Sequence, residues 1–172
     1  MIYVGFKKNI TAFLVISLLG VLGHFVFEWT NNNTFIGLFF PVNESIWEHL
    51  KLIFFPSLIY FLTEYYFLNS LPKNYIPASI IGVFGGMISV VVLYYTITGI
   101  IGANIDFLNI LIFFAAVFVT VRLRNKIITE GKEFSKNFKA VLGGLFVISA
   151  VLFMLFSYEP PSLNIFIPPM PV

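Results

Sequence analysis

Five apolar runs constrain this chain more than anything else in it, because each is long enough, at 1.5 Å of rise per residue, to cross a hydrocarbon core of about 30 Å. They fall at about 9–28, 45–69, 75–98, 106–123 and 139–157. A chain that is 59% apolar and only 10% charged lies far from a soluble domain, where about a quarter of residues carry charge. The expected fold is therefore all-α: a polytopic membrane protein of five transmembrane helices, a single domain over residues 1–172 with a proline-rich outer tail at 158–172.

The basic residues orient these spans. Lysine and arginine gather in short cytoplasmic loops. Lys7 and Lys8 precede the first run, Lys73 lies between the second and third, and Arg122, Arg124, Lys126, Lys132, Lys136 and Lys139 lie between the fourth and fifth. All fall on one side of a five-span chain, which predicts a cytoplasmic amino terminus and an outer carboxyl terminus. Lys51 is the exception. Glu28, Glu44, Glu48, Asp106, Glu159 and both histidines then lie on or near the outer face. The first run carries His24 and Glu28 and lacks a small-residue cleavage site, so it reads as a retained helix rather than a signal peptide. A net charge of +2 with its cations beside membrane spans is no nucleic-acid signature, and the expected surroundings are membrane lipid. The absence of cysteine excludes disulfides, thiolate metal ligands and thiol nucleophiles.

Between the first two spans, residues 30–42 run from Asn31, Asn32 and Asn33 into an apolar stretch too short to cross, expected to lie at the interface or to dip in as a lid over the site. Ser79, Gly82, Gly86 and Ser89 recur at helical spacing, a face suited to close helix contact within the chain or to a homodimer through Gly82 and Gly86. Gly143 and Gly144 offer the fifth span a similar surface. Trp29, Trp47, Tyr75, Tyr94 and Tyr95 read as interface aromatics, and Glu64 is expected at the cytoplasmic interface beside Lys73 or else as a buried relay carboxylate. In the tail, Pro160, Pro161, Pro168, Pro169 and Pro171 preclude regular helix.

The densest polar segment is Val42-Asn43-Glu44-Ser45-Ile46-Trp47-Glu48-His49-Leu50-Lys51. On the first span, Ser17, Gly20, His24 and Glu28 form one stripe, with His24 and Glu28 one turn apart. His24 lies about 6 Å inward of Glu28 and His49 about 7.5 Å inward of Glu44 along antiparallel helices, so the imidazoles meet at one depth. Two accounts fit. In one, Ser45-x-x-Glu48 is a capping box and Glu48 and Lys51 form a surface pair. In the other, His24, His49, Glu28 and Glu44 supply the imidazole nitrogens and carboxylate oxygens that hold a divalent ion such as zinc, while Glu48 acts as general base on a metal-bound water, Lys51 stabilises a developing oxyanion and Ser45 stands beside them. No His-Glu-x-x-His motif is present.

The run Asn43-Glu44-Ser45-x-Trp47-Glu48-His49-x-Lys51, with His24 and Glu28 before it, resembles an uncharacterised family of small bacterial integral membrane proteins, and this resemblance implies a place in the bacterial cytoplasmic membrane. A fainter resemblance, carried by Ser45 and His49 at Ser-x-x-x-His spacing, is to the ceramidase and adiponectin-receptor hydrolases. It implies zinc, but the later histidine pair of that superfamily has no counterpart beyond His24. The leading expectation is an outward-facing metal site and a metal-dependent hydrolase of lipid-like substrates. The alternatives are an ion- or proton-coupled transporter or channel component and a structural accessory subunit.

Overall fold

The computed structural model describes residues 6–68 and 70–169. All its regular structure is helical: α1 (Phe6–Trp29), α2 (Thr34–Gly37), α3 (Ile46–Phe67), α4 (Tyr75–Ile101), α5 (Asp106–Thr129) and α6 (Lys136–Phe156), followed by a 3-10 turn at Asn164–Phe166. Helices α1, α4, α5 and α6 are long and apolar enough to cross a membrane, and leucine, isoleucine, valine and phenylalanine side chains cover their exposed faces. The 22-residue α3 is of similar length, yet Glu48, His49, Lys51 and Glu64 keep its hydropathy below theirs.

The five expected runs coincide with the five long helices to within a turn, except that α5 continues to Thr129. Arg122, Arg124 and Lys126 are thus helical rather than looped, because charged side chains do not stop a helix once it leaves an apolar run. Arg124 turns inward and is buried.

Helix α3 is the central element. Ile53, Phe54 and Ser57 are fully buried, with Ile16 of α1, Val83 of α4, Val117 of α5 and Phe153 of α6 beside them in the core. Pro56 lies inside α3. Lacking an N–H, it leaves the Leu52 carbonyl without its helical donor. Helix α1 comes against that carbonyl at Gly20, where a Cβ would lie 2.9 Å from Leu52 O and 2.5 Å from the Phe113 ring. Any larger residue would separate α1 from α3.

The most extensive helix pairing is α4 with α5. It uses the small-residue face of α4: a Cβ at Gly82 would sit 2.6 Å from Thr120 O, and one at Gly86 2.9 Å from Ala116 O. The Gly82 and Gly86 surface is thus used for close helix contact within the chain, against α5. Gly143 and Gly144 have nothing within 4 Å, so they do not share that role. Helix α6 is peripheral, burying only Leu142 and Phe153 along its length.

Asparagines direct the turn out of α1. Asn31 and Asn32 adopt φ of 54° and 56°, the left-handed region that asparagine tolerates better than most residues. Asn33 then accepts from Phe35 N at 2.9 Å and Ile36 N at 3.3 Å, starting α2. This single turn folds back beside the ends of α1 and α3. Gly37 is buried there because a Cβ would meet Val42 at 2.6 Å.

Candidate metal centre

The end of α1 and the start of α3 run antiparallel side by side, with Glu44 in the loop just ahead of α3. Three devices fix that start. Asn43 Oδ1 accepts from Ser45 N at 2.9 Å, Ser45 Oγ accepts from Glu48 N at 3.4 Å, and the His49 ring meets Ser45 O through Nδ1 at 2.9 Å. A carbonyl oxygen only accepts, so His49 Nδ1 carries a hydrogen and donates it. In the neutral ring the lone pair is then on Nε2.

That nitrogen faces Glu44. His49 Nε2 lies 3.4 Å from Glu44 Oε2, and His24 Nε2 lies 3.5 Å from the same oxygen. The imidazole centroids are 5.3 Å apart with 53° between their planes. One ligand atom from each of His24, Glu44 and His49 falls within 4.8 Å of the others. A tetrahedral zinc ion with bonds of 2.0–2.1 Å requires ligand separations of about 3.3 Å, which both nitrogen–oxygen distances already approach, and the two nitrogens, within 4.8 Å of each other, would have to draw together to share one. The hydrogen bond from Nδ1 to a backbone carbonyl is the outer-sphere contact that orients most metal-binding histidines. The side chains of His24, His49 and Glu44 are 32%, 25% and 64% exposed, so the centre opens to solvent. Hydrogen bonds that the His24 ring, and then the His49 ring, donate when protonated hold the Glu44 carboxyl well below the usual carboxylate range. The acid is therefore ionised at neutral pH and available to a cation.

The other expected site residues lie elsewhere. Glu28 is exposed on the next turn of α1, outside the three-residue cluster. Ser45 is buried as the helix cap. Glu48 and Lys51 are each about 1% exposed and form an ion pair of 2.8 Å. Glu48 Oε2 also accepts from Val42 N at 2.9 Å, and its Oε1 lies 3.0 Å from the Ser157 hydroxyl. Lys51 Nζ donates to Gly37 O at 2.8 Å, to Phe40 O at 3.3 Å and to Ser157 Oγ. The pair is thus interior rather than on the helix surface. Only half of the capping box forms, because the Glu48 carboxylate reaches Val42 in place of the Ser45 amide. Trp47 is no belt residue either: it packs on Phe153, Phe156 and Phe166 at centroid distances of 4.8, 5.7 and 4.9 Å.

A second polar cluster occupies the opposite end of α3. The Arg124 guanidinium lies between the rings of Phe61, at 4.4 Å, and Tyr75, at 4.9 Å. It pairs with Glu64 and donates to Ser79 Oγ at 3.2 Å. Tyr60 and Tyr75 hydroxyls reach the same Glu64 carboxylate at 3.1 and 3.0 Å. Asn125 donates to Asn9 at 2.6 Å, tying in α1. Glu64 is therefore held by Arg124 rather than by Lys73, and Tyr75 is buried within this cluster rather than an interface aromatic. The available signal was spacing, since Arg124 follows Thr120 and Ala116 at four-residue steps along one face of α5.

Comparison with known proteins adds classification alone. A model of a family of unknown function matches residues 5–170. No curated protein and no solved structure matches the chain.

Proposed function

Because the chain belongs to the family of unknown function DUF6512, whose description assigns no activity, we propose its function from geometry: a membrane protein that binds a divalent cation, zinc by preference, between His24, Glu44 and His49. The observation that carries this reading is the pair of Nε2 atoms directed at one carboxylate oxygen, with the His49 Nδ1–H committed to Ser45 O. A lone pair facing a carboxylate needs a positive particle between them, and a metal ion serves both rings at once.

In this reading α3 joins the four apolar helices as a fifth span, the amino terminus is cytoplasmic, and the centre faces outward at the lipid–water boundary. The exposed Phe25 and Trp29, stacked at 5.8 Å on the same end of α1, support such a boundary. Three protein ligands leave a fourth position for water, as in catalytic zinc sites, and the ion lowers the pKa of that water to about 7. The chemistry that follows is hydrolysis of an amphiphilic ester or amide. Water would add to the carbonyl carbon, the bond to the leaving alcohol or amine would break, and a nearby carboxylate of the chain would relay the proton to the leaving group. Glu28 takes that role, because the carboxylate of Glu48 is committed to Lys51, Val42 and Ser157.

Elemental analysis of protein purified without chelator tests the reading. About one equivalent of zinc in the native protein, absent from His24→Ala and His49→Ala, supports it. Native protein free of metal and unable to take up added zinc refutes it.

A second reading, proton or ion transfer across the membrane, is favoured by one set of observations. Between the outer centre and the Glu64–Arg124 cluster, about 22 Å further along α3, the buried hydroxyls of Ser17 and Ser57 have no hydrogen-bond partner. Helical rise puts them at similar depth, about 10 Å inward of His24 and 12 Å inward of His49. Flux in proteoliposomes that disappears in Ser57→Ala would favour transport over hydrolysis.

A further inference from the structure

Glu44 differs from its two companions in one respect. His24 and His49 are carried by long helices, whereas Glu44 sits in the short connection between α2 and α3, so something other than a helix must hold its carboxylate between the rings. We propose that Glu48, Lys51 and Ser157 are positioning residues that set the Glu44 loop for cation binding. This proposal rests on the reading of His24, Glu44 and His49 as a metal centre.

Two charges almost fully removed from solvent sacrifice hydration that their mutual attraction barely restores, so a buried ion pair is a poor device for stability alone. The informative feature is where its remaining hydrogen bonds go. Lys51 takes the carbonyls of Gly37 and Phe40, at the end of α2 and in the bend after it. Glu48 takes the amide of Val42, two residues before Glu44. On the other side of Glu44, the amide of Ser45 is fixed by Asn43. The backbone is therefore gripped at 37, 40, 42 and 45, and Glu44 lies within the gripped stretch.

Ser157 extends the grip to the end of α6. Its hydroxyl accepts from Lys51 and has two acceptors in reach, Glu48 Oε1 at 3.0 Å and Phe153 O at 2.7 Å. The adjacent Tyr158 donates through its hydroxyl to Thr34 O at 2.8 Å, so the end of α6 holds the connection at α2 as well. Every strong donor and acceptor of the pair is committed within this network. That excludes free general-base work by Glu48 and suits a fixed support.

The test measures zinc affinity by isothermal titration calorimetry on the full chain in detergent. The variants are Glu48→Met/Lys51→Met, Glu44→Ala and all three substitutions together. Replacing both members of the ion pair leaves no orphan charge, and thermal melting without metal checks that the variant remains folded. The account expects the double variant to lose zinc affinity by about 10–100-fold, the range for outer-sphere partners of metal ligands. It also expects Glu44→Ala to cost much less in that background than in the native chain, because the clamp acts through Glu44. Losses that simply add, or a folded double variant that binds zinc like the native chain, overturn the positioning role and leave the centre standing. Native protein that does not bind zinc overturns the centre, and the clamp's role with it. Should the double variant fail to fold, Ser157→Ala substitutes for it. A several-fold loss that does not add to that of Glu44→Ala supports the role, and native affinity or additive losses overturn it.

Discussion

The His49 ring donates through Nδ1 to the carbonyl of Ser45 at 2.9 Å, one turn back on its own helix, and this contact aims Nε2 at Glu44. The helix cap and the candidate centre are thereby one construction, since the residue that starts α3 also sets the tautomer of the histidine four positions later.

The two histidines should be equivalent in consequence. His24→Ala and His49→Ala are each expected to weaken zinc binding by more than about 100-fold, beyond the range typical of outer-sphere partners. Calorimetric titration of each purified variant checks this, and a loss confined to one of them would restrict the site to that histidine.

Zinc affinity should fall as the solution is acidified. Imidazole must be neutral to ligate, so protons compete with the ion and binding releases them. Affinity is expected to drop steadily as the pH is lowered through the weakly acidic range, as protons occupy the imidazole nitrogens. Titrations in buffers of different ionisation enthalpy measure the proton release directly, and affinity that is flat from pH 5.5 to 7.5 would contradict histidine ligation.

Breaking an interior ion pair on one side only should be far worse than removing it. Lys51→Met leaves Glu48 as an uncompensated buried charge and is expected to destabilise the protein by about 3–5 kcal/mol. Glu48→Met/Lys51→Met should recover most of that loss. Arg124→Ala, which strips the guanidinium from Glu64, should cost a similar amount. Thermal unfolding in one detergent, compared across the variants, provides the ranking.

Glycines separate by environment. Gly20→Ala places a methyl group against Leu52 O and the Phe113 ring, and should cost about 1–3 kcal/mol by overpacking. Gly143→Ala meets nothing within 4 Å and should leave stability unchanged or raise it by up to about 1 kcal/mol through helix propensity. Unfolding midpoints of the two variants decide this, and equal effects would contradict the helix packing described above.

The helices were legible because lipid-crossing segments declare themselves by length, and the meeting of His24 with His49 was legible because helical rise fixes relative depth. Rotation about the helix axis was harder to read. Glu48 and His49 are sequence neighbours about 100° apart on α3, so one enters a sealed ion pair while the other faces the open centre. Which neighbour goes where depends on α2 and the end of α6, and no local pattern reports it. Ser157 joins Lys51 across 106 positions of chain. Arg124 was hidden for a different reason: it stands among the basic residues Arg122 and Lys126, where charge indicates a loop, and only its register with Thr120 reveals the buried face.

The central claim is that two imidazoles and one carboxylate hold a single cation. X-ray absorption at the zinc edge of the loaded protein tests this most directly. The account predicts two imidazole nitrogens and oxygen donors at about 2.0–2.1 Å in the native protein. A zinc spectrum without imidazole scattering, or one unchanged in His49→Ala, would contradict it.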